Sequence, residues 1–356
     1  MGLALGFASA PIWGCAPDIL PGSYLSETTL VGIETEVVEL GPVLPTRAPL
    51  GEVALVESMP GDLLQIRALV LGADGQRIPD DALTSLWIQC SSSEFCTGAD
   101  LEGLPDCELL LDQGVFTTDA RCVLGEGDGA FRYEVPPFGS IGTLFLSNVL
   151  LGAVAWEGRN PRDCLDVYRS GRGSFDRCAV VRHLIFYGPT WQAQAYAGTL
   201  GLPTQVPPDE IPAEVLEQAP NYVPEVIAVW AIGSRGAMAA AEEGPLQIKV
   251  SPGERVNLWL GFDVAAQDLQ SVFLLGAGAD GIPEFTSGPE FINRELYTTG
   301  ALQEVPVVEL GLDVPDVSFV VDPDAEPGRS WAIVVFRDHR GGTGFESVEV
   351  EVVGGS

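Results

Sequence analysis

Apolar positions along this chain recur with a period of two, in short runs broken by Gly, Pro and Asp. Leu63 to Leu71 (LLQIRALVL) is the clearest run, with Leu64, Ile66, Ala68 and Val70 alternating with Gln65, Arg67 and Leu69. Such alternation lays one set of side chains on one face of a sheet. Leu30–Leu40, Val53–Val56, Leu83–Cys90 and Ala179–Tyr187 read as further strands, and Trp87 reads as a core anchor. The second half supplies Val226–Ile232, two strands within Leu246–Leu260, Val272–Leu275, Val305–Leu310, Ser318–Val321, Trp331–Phe336 and Val348–Val353. Many short strands with frequent turn signals predict an all-β protein built from β-sandwiches.

Two stretches depart from this texture. Phe138 to Trp156 is the longest apolar segment, but Gly139, Ser140, Gly142, Ser147 and Asn148 interrupt it. It reads as a turn followed by a buried strand, Val149–Trp156, and not as a membrane span. Gly188 to Pro220 is punctuated by Pro189, Pro203, Pro207, Pro208, Pro212 and Pro220, which predicts a linker with one short helix at Ala213–Gln218. The organisation expected is a leader over 1–15, a tether over 16–26, a sandwich over 27–188, a Pro-rich linker over 189–220 and a second sandwich over 221–356. Length supports two cores, since the chain has 356 residues. Met59-Pro60-Gly61-Asp62 and Ser251-Pro252-Gly253-Glu254 each precede an alternating strand. That recurrence reads as an internal repeat of one sandwich module.

Cysteine placement sets the compartment. Six of the seven cysteines, Cys90, Cys96, Cys107, Cys122, Cys164 and Cys178, fall in one segment, and Cys15 stands alone. An even cluster predicts three disulfides and an oxidising environment. Zinc is the competing reading, but no C-x-x-C pair is present and only His183 and His339 are available as histidine ligands. Turn-rich sequence between them makes Cys164–Cys178 the firmest pair. For the others the expectation is a nested arrangement, Cys90–Cys122 around Cys96–Cys107.

Charge narrows the partners. With 50 acidic and 18 basic residues the net charge is −32, and Lys249 is the only lysine. Such a surface is repelled by phosphate backbones, so no nucleic acid is expected as a partner. Apolar residues make up 46% of the chain, which is normal for a folded protein.

The N-terminal Met1 to Cys15 (MGLALGFASAPIWGC) resembles the end of a bacterial lipoprotein signal peptide: Ile12, Gly14 and Cys15 match the lipobox, while Trp13 stands where that family prefers a small residue. The resemblance implies export and lipidation at Cys15. Ala16, not Asp, follows the cysteine, which points to the outer membrane. Val226 to Phe262 and the Pro-Gly-acid turns are similar to the tandem immunoglobulin-like lipoproteins of high-GC Gram-negative bacteria. That resemblance implies two immunoglobulin-like sandwich domains, the first with a disulfide-rich insertion, and implies no activity.

Catalytic chemistry finds little support. His183 lies within a core strand, and His339 lies in a turn, Asp338 to Gly342, expected to be solvated. Gly276, Gly278 and Gly281 form a G-x-G-x-x-G after a strand, but no helical run follows to receive a pyrophosphate, so a glycine-rich turn is expected. Asp313, Asp316, Asp322, Asp324 and Glu326 offer carboxylates as calcium loops do, without the glycine and downstream glutamate of an EF-hand. No catalytic residue, cofactor or metal ligand is assigned. The expected role is a binding or structural module facing another envelope protein or a surface glycan. The alternative is a calcium-dependent adhesion or carbohydrate-binding protein.

Overall fold

The computed structural model describes residues 25, 27–43, 54–90, 96, 101, 103–139, 147–234, 238–241, 246–262, 272–277, 283–288, 292–305, 307, 315–338 and 340–354. Its first half contains β1 (Thr29–Glu39), β2 (Leu63–Leu71), β3 (Leu83–Cys90), β4 (Cys122–Gly127), β5 (Ala130–Glu134), β6 (Ser147–Trp156) and β7 (Cys178–Phe186). They form two antiparallel sheets, ordered β1-β2-β5 and β4-β3-β6-β7.

The alternation in β2 decides how these sheets meet. Leu64, Ile66, Ala68 and Val70 share a core with Trp87, Leu150, Val154 and Ile185 of the second sheet. Burying each large aliphatic side chain there contributes roughly 1.5–3 kcal/mol. Trp87 lies opposite Gly152 across the β3–β6 pair, and a Cβ at Gly152 would sit 2.6 Å from the indole. β6 is buried along nearly its whole length. Its outer face is covered by the helix Pro161–Ser170, through Leu165 and Tyr168, and by cysteine side chains. A strand buried on both faces reads as a continuous apolar run, which is why this segment shows no alternation.

That helix was not expected between Cys164 and its partner. Asn160 accepts from the Arg162 N–H at 2.9 Å, Pro161 opens the first turn, and Gly171 at φ 63° ends it. These are ordinary start and stop signals.

The second half contains β8 (Val226–Gly233), β9 (Met238–Ala241), β10 (Leu246–Val250), β11 (Arg255–Phe262), β12 (Val272–Ala277), β13 (Pro283–Gly288), β14 (Asn293–Thr298), β15 (Leu302–Val305), β16 (Val317–Val321), β17 (Gly328–Arg337) and β18 (Thr343–Val352). Sheets ordered β10-β18-β17-β14 and β15-β16-β11-β8-β9 pack over a shared core that includes Leu258, Phe319, Val334 and Val350. β10 and β18 pair in parallel. β12 and β13 form a separate hairpin.

The two Pro-Gly-acid turns are built alike. Gly61 and Gly253 take φ of 86° and 76°. Asp62 accepts from the Met59 N–H at 2.7 Å, and Glu254 accepts from the Ser251 N–H at 3.0 Å. Each acid closes its own turn, and each turn feeds a strand central to its sheet.

Residues 189–220 are not a plain linker. They carry the helix Thr190–Thr199, a short 3₁₀ turn at Pro208–Glu210 and the helix Ala213–Leu216. Ala193 and Ala197 join the first core, while Trp191, Val206, Ile211 and Val215 form a cluster touching Phe273 and Phe285 of the β12–β13 hairpin. Trp191 also donates to the Phe273 carbonyl at 2.9 Å.

The halves stack through their sheets. Val31, Leu69 and Leu71, on the outer face of β1-β2-β5, pack with Leu25 against Tyr297, Ile333 and Val335 of β14 and β17. This contact buries Leu69 and Leu71, positions of β2 that the alternation would leave to solvent.

Candidate functional site

All six clustered cysteines are bonded, but not as the nested expectation had them. The pairs are Cys90–Cys96, Cys107–Cys122 and Cys164–Cys178. Strand geometry excludes Cys90–Cys122. Gln89 sits directly opposite Cys122, so these two share a face and Cys90 points to the other. The first two bridges lie in the β3–β4 connection and the third joins the ends of the β6–β7 connection. The disulfide-rich region is therefore two separate stapled excursions. Three such bonds belong to a chain folded in an oxidising, extracellular or periplasmic compartment. No described helix is long and apolar enough to cross a membrane.

Cys15, with the leader around it, and His339 lie outside the described residues. His183 packs between β7 and β1, sharing a short hydrogen bond with the Thr35 hydroxyl. Burial, aided by the nearby Arg337 guanidinium, pushes its pKa down to about 4. The imidazole is thus neutral at physiological pH and serves packing. Gly276 lies in β12, whose antiparallel register with β13 runs to Ala277–Pro283, while Gly278 and Gly281 lie outside the described residues. Of the candidate calcium ligands, Asp313 lies outside the described residues. Asp316 accepts from the Leu260 N–H at 2.6 Å and pairs with Arg294 at 2.8 Å, while burial raises its pKa. Asp322 accepts from the Asp324 N–H at 2.8 Å in a local turn.

Two constellations were missed by sequence reasoning. The first is a buried charged junction between the halves. The Asp338–Gly342 turn, expected to be solvated, instead plugs into the first half. Arg340 is 5% exposed and Glu57 1%, with the guanidinium 3.3 Å from both carboxylate oxygens. Asn221 accepts from Arg340 at 3.2 Å and donates to Asp338 at 2.9 Å, and its backbone N–H donates to Glu57 at 2.9 Å. Asp338 closes its own turn by accepting from the Arg340 and Gly342 N–H groups, both at 2.8 Å. A short turn of one half thus enters a polar socket of the other. Every one of its charges is answered within the set.

The second constellation is a cleft of about 780 Å³ between the start of β1, the Ala73 turn and the stapled loop before β7. Trp156, Glu27, Glu157, Asp176, Arg177 and Phe175 stand along it. Glu157 and Arg177 hold left-handed backbones, φ 53° and 55°, and they are the non-glycine residues recorded in that conformation among the described residues. Arg159 pins the loop from beneath, donating to the carbonyls of Asp176 and, at 2.8 Å, Ser174. The Trp156 N–H donates to the Arg177 carbonyl at 3.1 Å. The signal available in the sequence was the Asp-Arg-Cys run before β7; nothing in it announced a cleft.

No protein-family model matches the chain, and no curated protein matches it either. Seven chains among solved structures match. One is dimeric latent PorU from Porphyromonas gingivalis, at 12% identity over 91% of this chain with a TM-score of 0.17. The match spans 24% of the length of that chain. A TM-score that low carries no argument about fold or function.

Proposed function

We propose that this chain is an exported, non-catalytic envelope lipoprotein, tethered through Cys15 to the outer membrane and built from two immunoglobulin-like modules that present loops to a partner. The observation that carries the architectural part is strand order. Taking β8, β11, β14, β15, β16, β17 and β18 as strands A to G, the second half reads A-B-E-D on one sheet and C-F-G on the other. The extra strand β10 runs parallel to G. Taking β1, β2, β3, β5, β6 and β7 as A, B, C, E, F and G, the first half reads A-B-E and C-F-G, with β4 beside C. Ser58 makes a parallel bridge to Tyr187, just past G, in the place that β10 fills in the other half. The matched Pro-Gly-acid turns each precede strand B. Three disulfides that staple the β3–β4 and β6–β7 connections, with none joining the two sheets, fit a scaffold whose connections face an oxidising exterior.

Two measurements test the reading. Metabolic labelling with an alkyne fatty acid should mark the wild-type chain in the membrane fraction and leave a Cys15→Ser variant unlabelled. Recovery of unlabelled, thiol-reduced protein from the cytosol sinks the proposal. A pull-down from detergent-solubilised membranes, tagged after Ser356, should then return a stoichiometric envelope protein.

A further inference from the structure

We propose that the cleft beside the Cys164–Cys178 loop receives a cationic side chain, arginine or lysine, from a segment of a partner protein. The inference rests on the reading of this chain as a binding module and names the chemistry its partner must present.

The argument begins with what lines the space. Glu27, Glu157 and Asp176 line it together with one cationic residue, Arg177. That guanidinium is already paired with Asp176 at 3.3 Å, while Glu27 and Glu157 form no ion pair with a described residue. Phe175 is 46% exposed at the same rim, so its ring is open to a ligand. An aromatic face beside unpaired carboxylates suits a guanidinium or ammonium, which gains from the ring quadrupole and from the negative charge together. The net charge of −32 adds long-range attraction for a basic partner.

Second, the cleft is held ready. The disulfide fixes the loop at both ends and Arg159 holds its backbone from within. Two side-chain-bearing residues keep left-handed backbones at its wall, a conformation that the surrounding structure must impose. Little ordering is left to occur when a ligand arrives, so less binding energy is lost to it.

The test titrates acetyl-tetraarginine amide into the oxidised full-length chain by calorimetry, in about 150 mM NaCl, where charges beyond about 8 Å are screened. Expected is saturable binding of one peptide per chain. Phe175→Ala combined with Glu157→Gln should weaken it by about tenfold or more. Asp209→Asn combined with Glu210→Gln removes more negative charge on a remote turn and should leave it unchanged. Equal weakening by the remote pair would show bulk attraction and overturn the proposal. So would an absence of peptide binding, or binding of neutral chitotetraose in its place. None of these outcomes depends on Cys15, so failure here is separable from failure of the lipoprotein reading.

Discussion

Replacing Arg340 by methionine tests whether the junction holds the two halves. Methionine keeps most of the volume and removes the charge. In the native chain the guanidinium lies 3.3 Å from both oxygens of Glu57, which is 1% exposed. At an effective dielectric near 20, two unit charges at about 3.3 Å attract by about 5 kcal/mol. Part of this offsets desolvation already suffered by both ions, but removing one ion returns none of the penalty of the other. Breaking a buried pair in this way costs about 3–5 kcal/mol. With a urea dependence of about 2–3 kcal/mol per molar, the unfolding midpoint of Arg340→Met should fall by roughly 1–2 M. Glu57→Gln in the same chain removes the stranded charge and leaves an oxygen for the Asn221 N–H. The double variant should therefore recover a large share of the loss, giving a coupling energy of about 2–3 kcal/mol in the cycle. A single variant that costs less than about 1 kcal/mol, or a double that equals the sum of the singles, would refute the reasoning.

Three further predictions follow from named contacts. Gly152→Ala drives a methyl into the indole of Trp87 and should destabilise the first sandwich by about 1–3 kcal/mol, read as a lowered urea midpoint. Replacing both Cys164 and Cys178 by alanine opens a loop of 14 residues' separation and should cost about 3 kcal/mol; non-reducing peptide mapping should also return Cys90–Cys96 and Cys107–Cys122, and a Cys90–Cys122 peptide would contradict the sheet geometry. His183 binds its proton less readily folded, with a pKa of about 4, than unfolded, near 6.5. Between those values the unfolded chain holds more protons, so the contribution of His183 is complete above about pH 6.5 and is lost as pH falls toward 4. A His183→Gln variant should lose stability less steeply than wild type over that window, and parallel profiles would exclude the effect.

How far the fold was legible depends on which faces each strand shows to water. β2 advertised itself because Gln65 and Arg67 separate its core residues, and β18 did so because Glu349 and Glu351 separate Val348, Val350 and Val352, whereas β17 showed as a continuous apolar run. β14 (NRELYT) and β4 (CVLGEG) were missed: polar and glycine positions dilute their apolar pattern, and their pairing partners are distant in sequence. The helix Thr190–Thr199 escaped because its sequence, TWQAQAYAGT, carries no charge and no polar stripe, and flanking prolines suggested a linker. Asp338 to Gly342 looked like any polar turn. Only the fold brings Glu57 and Asn221 to meet it, and such long-range partners leave no local trace. The cleft was invisible for the same reason: its walls come from four separate stretches of chain.

Where the earliest described residues are held decides how the protein would bear load. Leu25 donates its backbone N–H to the Thr298 carbonyl at 2.8 Å, so the first described residue is held by the second half. A few residues on, Arg337 of that half donates to the Val31 carbonyl. Traction applied at Leu25 therefore reaches the seam between the two halves before it reaches β1. Both halves share the strain at once, and the seam's apolar patch and buried ion pair resist it side by side. A body held this way yields as a single block, where beads on a string would open one after another.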